Sequence, residues 1–274
     1  MTRRTPPRPL DVEQLFPEVV RFKKEAVRLH PRAGDPTYRE SSVGGPLLWP
    51  AREPWPVCDE HGGAPMVAVA QIYRADVPDV VAFPQGCDVL QVLWCPRRHS
   101  DGGPWVVPRI HWRAAADVRQ VLDAPPVPAQ RHEHYVPRPC AVHPERVTEY
   151  PSWDLADTLW DALEGRFAQV EKESGWDYQY HLSTAPGTKL GGYPGWGQDP
   201  QPAVCTRCGR PMEHLLTFES AEGDAESSRA WTPVEDREVR VEHAGMMFGD
   251  MGGVYLFECL TCPDRPHTHR VDCA

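Results

Sequence analysis

Two Cys-x-x-Cys pairs, Cys205/Cys208 and Cys259/Cys262, constrain this chain more than any other feature. A Cys-x-x-Cys turn sets two thiolates at a separation that suits one tetrahedral cation, and a second pair on a neighbouring strand end completes the shell. Gly209 follows the first pair, where a knuckle turn needs a small residue. The ~50 residues between the pairs exceed the spacing of a minimal zinc ribbon, so the site is expected inside a larger sheet. A thioredoxin-like redox pair would open a helix after a strand. Cys208 is instead followed by Gly-Arg-Pro and a strand-like run. The expected occupant is therefore a closed, structural zinc ion.

The 31 prolines and 21 glycines disfavour long helices and favour short strands joined by turns. With 274 residues the chain can build one large domain or two smaller ones, each with a core. A net charge of −10 weighs against a nucleic-acid coat protein. Residues 1–9 carry arginines and prolines rather than an apolar run, and no stretch approaches the ~18 apolar residues of a membrane span. The expectation is a cytoplasmic protein with no membrane partner, whose nine cysteines serve metal or thiol chemistry rather than disulfides.

Two helices are expected. Residues 11–30 place Leu15, Val19, Phe22, Ala26 and Leu29 on one helical face, with Asp11 as N-cap and Gln14 reaching back. Residues 152–170 do the same with Leu155, Leu159, Ala162, Leu163 and Phe167, capped by Ser152. Each helix precedes a similar passage. The first reads Val43-Gly-Gly-x-x-x-Trp49, Cys58-x-x-His61, Pro65-Met66, then a β-rich run ending in Cys95 with His99 beyond. The second reads Leu190-Gly-Gly-x-x-x-Trp196, Cys205-x-x-Cys208, Pro211-Met212, then a β-rich run ending in Cys259 with Cys262 beyond. Trp49 and Trp196, Cys58 and Cys205, and His61 and Cys208 are each 147 positions apart, whereas Pro-Met returns after 146. An internal duplication follows, with residues 1–150 and 151–274 as two lobes that either stand apart or interlock.

The duplication points to a second zinc site, Cys58, His61, Cys95 and His99, so one or two ions are expected. Cys87 is a possible rival ligand. His132/His134, Cys140/His143 and the tail residues His267, His269 and Cys273 are weaker candidates, read as loop or tail residues. The proline-rich stretch from Ala124 to Trp153 is expected to join the lobes as an extended segment, and residues 220–245 to form a solvated, charged insertion.

Residues 43–71 and 189–259, with their Gly-Gly…Trp loop, Cys knuckle and Pro-Met strand, resemble the bacterial YwqG-like family of uncharacterised proteins. They are also similar to the eukaryotic programmed cell death protein 2 relatives, which are dedicated chaperones for a ribosomal protein. The resemblance implies a β-rich, duplicated scaffold that binds protein segments, in bacteria as chaperone or immunity partners of toxins, and it carries over no catalytic residues. The expected class is α+β with predominantly antiparallel strands, in two zinc-knuckle lobes each preceded by a helix. The expected function is a zinc-stabilised, non-enzymatic protein-binding or chaperone/immunity-type module, gripping a protein client or peptide segment. Trp49 and Trp196 are candidate binding residues, although core packing is the commoner role of any one tryptophan. The alternative is a zinc-dependent hydrolase in which the first site opens for water.

Overall fold

A computed structural model describes residues 2–99, 105–238, 241, 243–250 and 252–273. Antiparallel sheet dominates it and helices are few, which is the α+β class expected. One six-stranded sheet runs in the order β10 (Glu145–Glu149), β1 (Lys24–Arg28), β11 (Lys189–Gly191), β12 (Glu213–Glu219), β13 (Gly253–Glu258) and β14 (His267–Asp272). The other runs β2 (Arg32–Ala33), β9 (Cys140–Ala141), β3 (Ser42–Val43), β6 (Val67–Tyr73), β7 (Val89–Trp94) and β8 (Pro108–Arg113). A small hairpin, β4 (Val57–Cys58) with β5 (Ala64–Pro65), carries the first knuckle.

Both large sheets feed one core. Leu90, Val92 and Trp94 of β7 meet Leu216 and Phe218 of β12 and Val254 and Leu256 of β13. The Trp94 and Phe218 rings cross edge-to-face at 5.4 Å. Side chains alternate across a strand, so the other face of β7 carries Gln91 and Leu93 and leads on to Cys95. That of β13 carries Tyr255 and Phe257 and leads on to Cys259. Parity thus puts both cysteines on the outer faces of their sheets. A register shift falls between Ala68 and Ala70 in β6, and another between His214 and Leu216 in β12.

The first expected helix is not formed. Asp11 does cap a turn, accepting the Gln14 amide at 3.1 Å, but this helix, α1, is only Val12–Leu15. A 3-10 segment, Pro17–Phe22, follows, and residues 24–28 are strand. β1 finds partners on both sides, Ala26 opposite Val147 and Gly191; that pairing overrides the local period. The second helix, α2, exists but spans Asp157–Ser174 with Ala156 at its N-cap. The Ser152 hydroxyl is instead buried, with no hydrogen-bond partner among the described residues. Phe16, from the turn after α1, packs on Phe167 of α2 at 4.8 Å, and Phe167 stacks on Tyr178 at 4.1 Å. This satellite core holds the fully buried Phe16 and Val19, each contributing roughly 1.5–3 kcal/mol.

The proline-rich join is extended, yet it holds two paired strands, β9 in one sheet and β10 in the other. Residues 220–238 are not a solvated excursion. Trp231, at the end of the short helix α3 (Ser228–Trp231), is buried and offers its carbonyl to Arg28 at 2.7 Å, and buried Asp236 pairs with Arg32. Val239, Arg240 and Glu242 of that expected insertion lie outside the described residues. No helix among the described residues is long and apolar enough to cross a membrane.

Candidate metal centres

The first knuckle is built on a tight hairpin. Cys58 ends β4, a 3-10 turn spans Asp59–His61, and the Gly63 amide returns to the Cys58 carbonyl at 3.0 Å. Gly62 and Gly63 turn the chain at φ +62° and +78°, a region that costs an L side chain about 1–2 kcal/mol. In the second knuckle Gly209, at φ +69°, returns its amide to the Cys205 carbonyl at 2.9 Å. The first turn holds one more glycine, which is the slip of Pro-Met from 147 to 146. Beyond it the Met66 amide meets the Pro56 carbonyl, and the Met212 amide meets Ala203, both at 2.9 Å.

Cys95, just past β7, and His99 close the first cluster; Cys259, just past β13, and Cys262 close the second. In each, the four ligand atoms lie within 4.8 Å of one another. Cys58 Sγ stands 3.5 Å from His61 Nδ1 and 3.4 Å from His99 Nε2, and His61 Nδ1 stands 3.2 Å from Cys95 Sγ. In the second cluster the Cys205–Cys262 and Cys208–Cys259 sulfur separations are 3.9 and 3.6 Å. A tetrahedral zinc with bonds of about 2.3 Å to sulfur and about 2.0–2.1 Å to nitrogen would hold its ligands about 3.8 Å (S to S) and about 3.5 Å (S to N) apart. The spacings in both clusters match, so each can hold a metal ion.

The electrostatics favour a cation. The backbone amides of Cys262 and Thr261 bring the Cys259 thiol down to about 7, the Cys262 amide having the larger effect. Burial, reinforced by the neighbouring sulfurs, pushes Cys262 up to about 12. Burial likewise pushes Cys95 up to about 12. Several thiolates cannot share so small a space without a positive charge between them, and metal binding there would release protons.

The Gly-Gly loops lie over the outer sheet faces and are latched from the strands below. Gln71 Oε1 accepts the Leu48 amide at 2.6 Å, and Gln91 Nε2 donates to the Leu48 carbonyl at 3.0 Å. The Gly195 carbonyl, 147 positions on, accepts the Tyr255 hydroxyl at 2.5 Å. Nothing local in the sequence marks these latches, because the residues of each lie 20 or more positions apart. Trp49 and Trp196 belong to the covering layer. Trp49, 1% exposed, packs on Trp55 at 5.2 Å and beneath the Arg113 guanidinium at 4.3 Å. Trp196, 5% exposed, packs on Tyr255 at 4.7 Å. Each of these two expected binding residues thus shields the strand that ends in its site's third ligand.

The weaker candidates stay apart from both clusters. Cys140 is buried in the shared core, its thiol pushed up to about 11 by burial. The His132 and His134 rings lie 6.1 Å apart, and neither belongs to a ligand group among the described residues. Cys87 is partly buried and outside the first cluster.

Sequence reasoning missed a cleft of about 1120 Å³ between the two sheets, walled by Lys24, Arg74, Val81, Phe83, Gly191 and Arg265 among others. His214 sits in its wall. The Gly191 carbonyl can only accept, so His214 Nδ1 donates to it at 2.9 Å while Nε2 accepts the Thr217 hydroxyl at 2.8 Å. Burial drives this ring's pKa down to about 3, so it is neutral. Buried Glu258, next to Cys259, accepts Trp112 Nε1 of β8 at 2.8 Å and Arg265 at 2.6 Å, tying the second knuckle to the other sheet.

Comparison with curated proteins gave no match. A family model described as a domain of unknown function, DUF1963, matches residues 41–257. That span takes in the whole first cluster, both Gly-Gly loops and the Cys205/Cys208 knuckle, and ends just before Cys259. With well over half of its length inside the match, the chain belongs to the DUF1963 family.

Proposed function

We propose that this protein is a non-enzymatic, protein-binding module of the chaperone or immunity type, made of two copies of one unit, each held by a zinc ion. The observation that carries this reading is the closure of both clusters. Each offers four protein donors at tetrahedral spacing, with Cys208 exposed at the rim of the second cluster. A cation with all four tetrahedral positions taken by protein keeps none for an activated water, and such sites are structural. Sulfur and imidazole donors select zinc over hard cations. The paired register shifts, the paired loop latches and the matching strand orders support the duplication. Nine free thiols suit a reducing, cytoplasmic setting. The cleft between the sheets mixes apolar walls with both signs of charge, which fits a polypeptide segment better than a small, uniformly charged ligand.

Metal analysis joined to native co-purification tests both parts. The parent chain is expected to carry two zinc ions, and Cys205→Ser and Cys58→Ser one each. At physiological expression it should bring down one reproducible protein partner. A metal-free parent would remove the scaffold, and the lack of a reproducible partner would remove the binding role.

Half-buried His61 favours a second reading, a zinc hydrolase whose first site opens when that ligand leaves. X-ray absorption showing three protein ligands and one oxygen at that site would select it.

A further inference from the structure

The segment Arg3-Arg-Thr-Pro-Pro-Arg-Pro9 forms neither helix nor strand, yet it is bound along its length. Arg3 Nε pairs with Asp236 at 2.9 Å. Glu235 takes both the Arg4 amide at 2.9 Å and its guanidinium at 3.0 Å, while the Arg4 carbonyl accepts the Val234 amide at 2.9 Å. Glu145 grips Thr5 twice, through the amide and the hydroxyl, both at 2.6 Å. Arg8 donates to the Thr148 carbonyl at 2.8 Å and lies over the rings of Tyr150 and Trp231, 5.0 and 5.7 Å from their centroids. Aromatic faces flanked by carboxylates are the means by which proline-rich, arginine-bearing segments are recognised, because such a segment is already extended and loses little entropy on docking.

We infer that the groove formed by β10, α3 and residues 234–236 is a recognition site for proline-rich segments carrying arginine, and that residues 3–9 are its occupant in cis. Two further observations support exchange. Two of the groove's three acidic groups keep partners of their own, Glu145 with His30 at 2.9 Å and Asp236 with Arg32, so most of the site persists when the arm leaves. Cavities of about 270 and 630 Å³ flank the arm, beside Trp231 and Trp176 respectively, leaving room that a longer or better-fitted segment fills. The partner is therefore a protein presenting a Pro-Pro-Arg-Pro-like stretch.

This inference rests on the protein-binding reading and gives its client a chemistry. A fluorescein-labelled peptide of residues 2–10, titrated into the full chain and its Arg8→Ala variant, tests it. The substitution loosens the arm and leaves every groove residue in place. A tethered arm competes at an effective concentration of about millimolar, so the variant is expected to bind the peptide at least about tenfold more tightly than the parent. Replacing the peptide's own arginine at position 8 by alanine, or its prolines by glycine, is expected to abolish that binding. On the unaltered chain, millimolar peptide is expected to speed tryptic cleavage after Arg4. Equal affinity of parent and variant overturns the assignment, as does binding that survives the proline replacements or cleavage that the peptide leaves unchanged. Failed co-purification would instead sink the broader reading, while the titration decides the groove alone.

Discussion

Gly192 and Gly62 turn the chain at nearly the same positive φ, +64° and +62°, but in different surroundings. A Cβ on Gly62 would meet nothing within 4 Å, whereas one on Gly192 would sit 2.2 Å from Glu149 Oε2 and 2.9 Å from the Ala26 Cβ. Gly62→Ala should therefore cost only the backbone strain, about 1–2 kcal/mol. Gly192→Ala must also displace Glu149 from buried Lys189, which it meets at 2.6 Å, and should cost more than about 3 kcal/mol. Urea denaturation of the two variants measures the contrast, and equal losses would mean that the buried pair tolerates displacement. Glu219 supplies a second test. Its carboxyl accepts the Gly187 amide at 2.6 Å and is raised to about 8, chiefly by burial, with Glu222 adding and Lys189 and Arg28 opposing. The folded state thus keeps a proton that the unfolded chain releases near 4.5, and stability from this group falls as pH rises from about 4.5 through about 8. Glu219→Gln is neutral throughout, so its stability relative to the parent should grow from pH 5 to pH 9. Parallel urea midpoints for the two proteins would refute the shift.

At the scale of elements, α2 starts without a side-chain cap. Ala156 is exposed and extended, with φ −61° and ψ +137°, and its carbonyl already accepts the Leu159 and Trp160 amides. Ala156→Asp should satisfy a first-turn amide and stabilise the protein by about 1 kcal/mol, read as a raised denaturation midpoint. No gain would mean that the start of the helix is held by packing alone. The sequence put this cap at Ser152 because a serine ahead of an apolar period is the usual signal, and burial of its hydroxyl could not be read there. The candidate ligands were legible because they come in local pairs three or four positions apart, two of the pairs followed by a glycine turn. The stretch from residue 11 to 30 was not. Leu15, Val19 and Phe22 do share a face, but in the satellite core, whereas Ala26 and Leu29 belong to strand and loop whose neighbours lie more than a hundred positions away. A local period cannot report such a partner.

At the scale of the molecule, the same limit hid how the halves are joined. Residues 24–33 supply β1 to one sheet and β2 to the other; residues 140–149 supply β9 and β10 in the reverse sense. The first sheet therefore combines β1 and β10 from before residue 150 with four strands from after it, whereas the second lies wholly before residue 150. The second sheet still packs on Leu216, Phe218, Val254 and Leu256 from beyond that point, so neither 1–150 nor 151–274 keeps both sides of the shared core. Cutting there would strip β11 of its partner β1 and remove Val27 and Leu29, 2% and 0% exposed, from the shared core. Each of those side chains contributes roughly 1.5–3 kcal/mol. The cut would also leave Lys189 in one fragment and Glu149 in the other, a buried pair whose separation costs about 3–5 kcal/mol. Set against a total stability of about 5–15 kcal/mol, these losses leave neither piece a margin. Fragments 1–150 and 151–274 should therefore each lack a cooperative unfolding transition when made alone. Co-expressed, they should co-purify as a one-to-one complex that recovers the transition. Cooperative unfolding of 151–274 alone would show that the Cys205/Cys208/Cys259/Cys262 knuckle can organise its sheet without the borrowed strands.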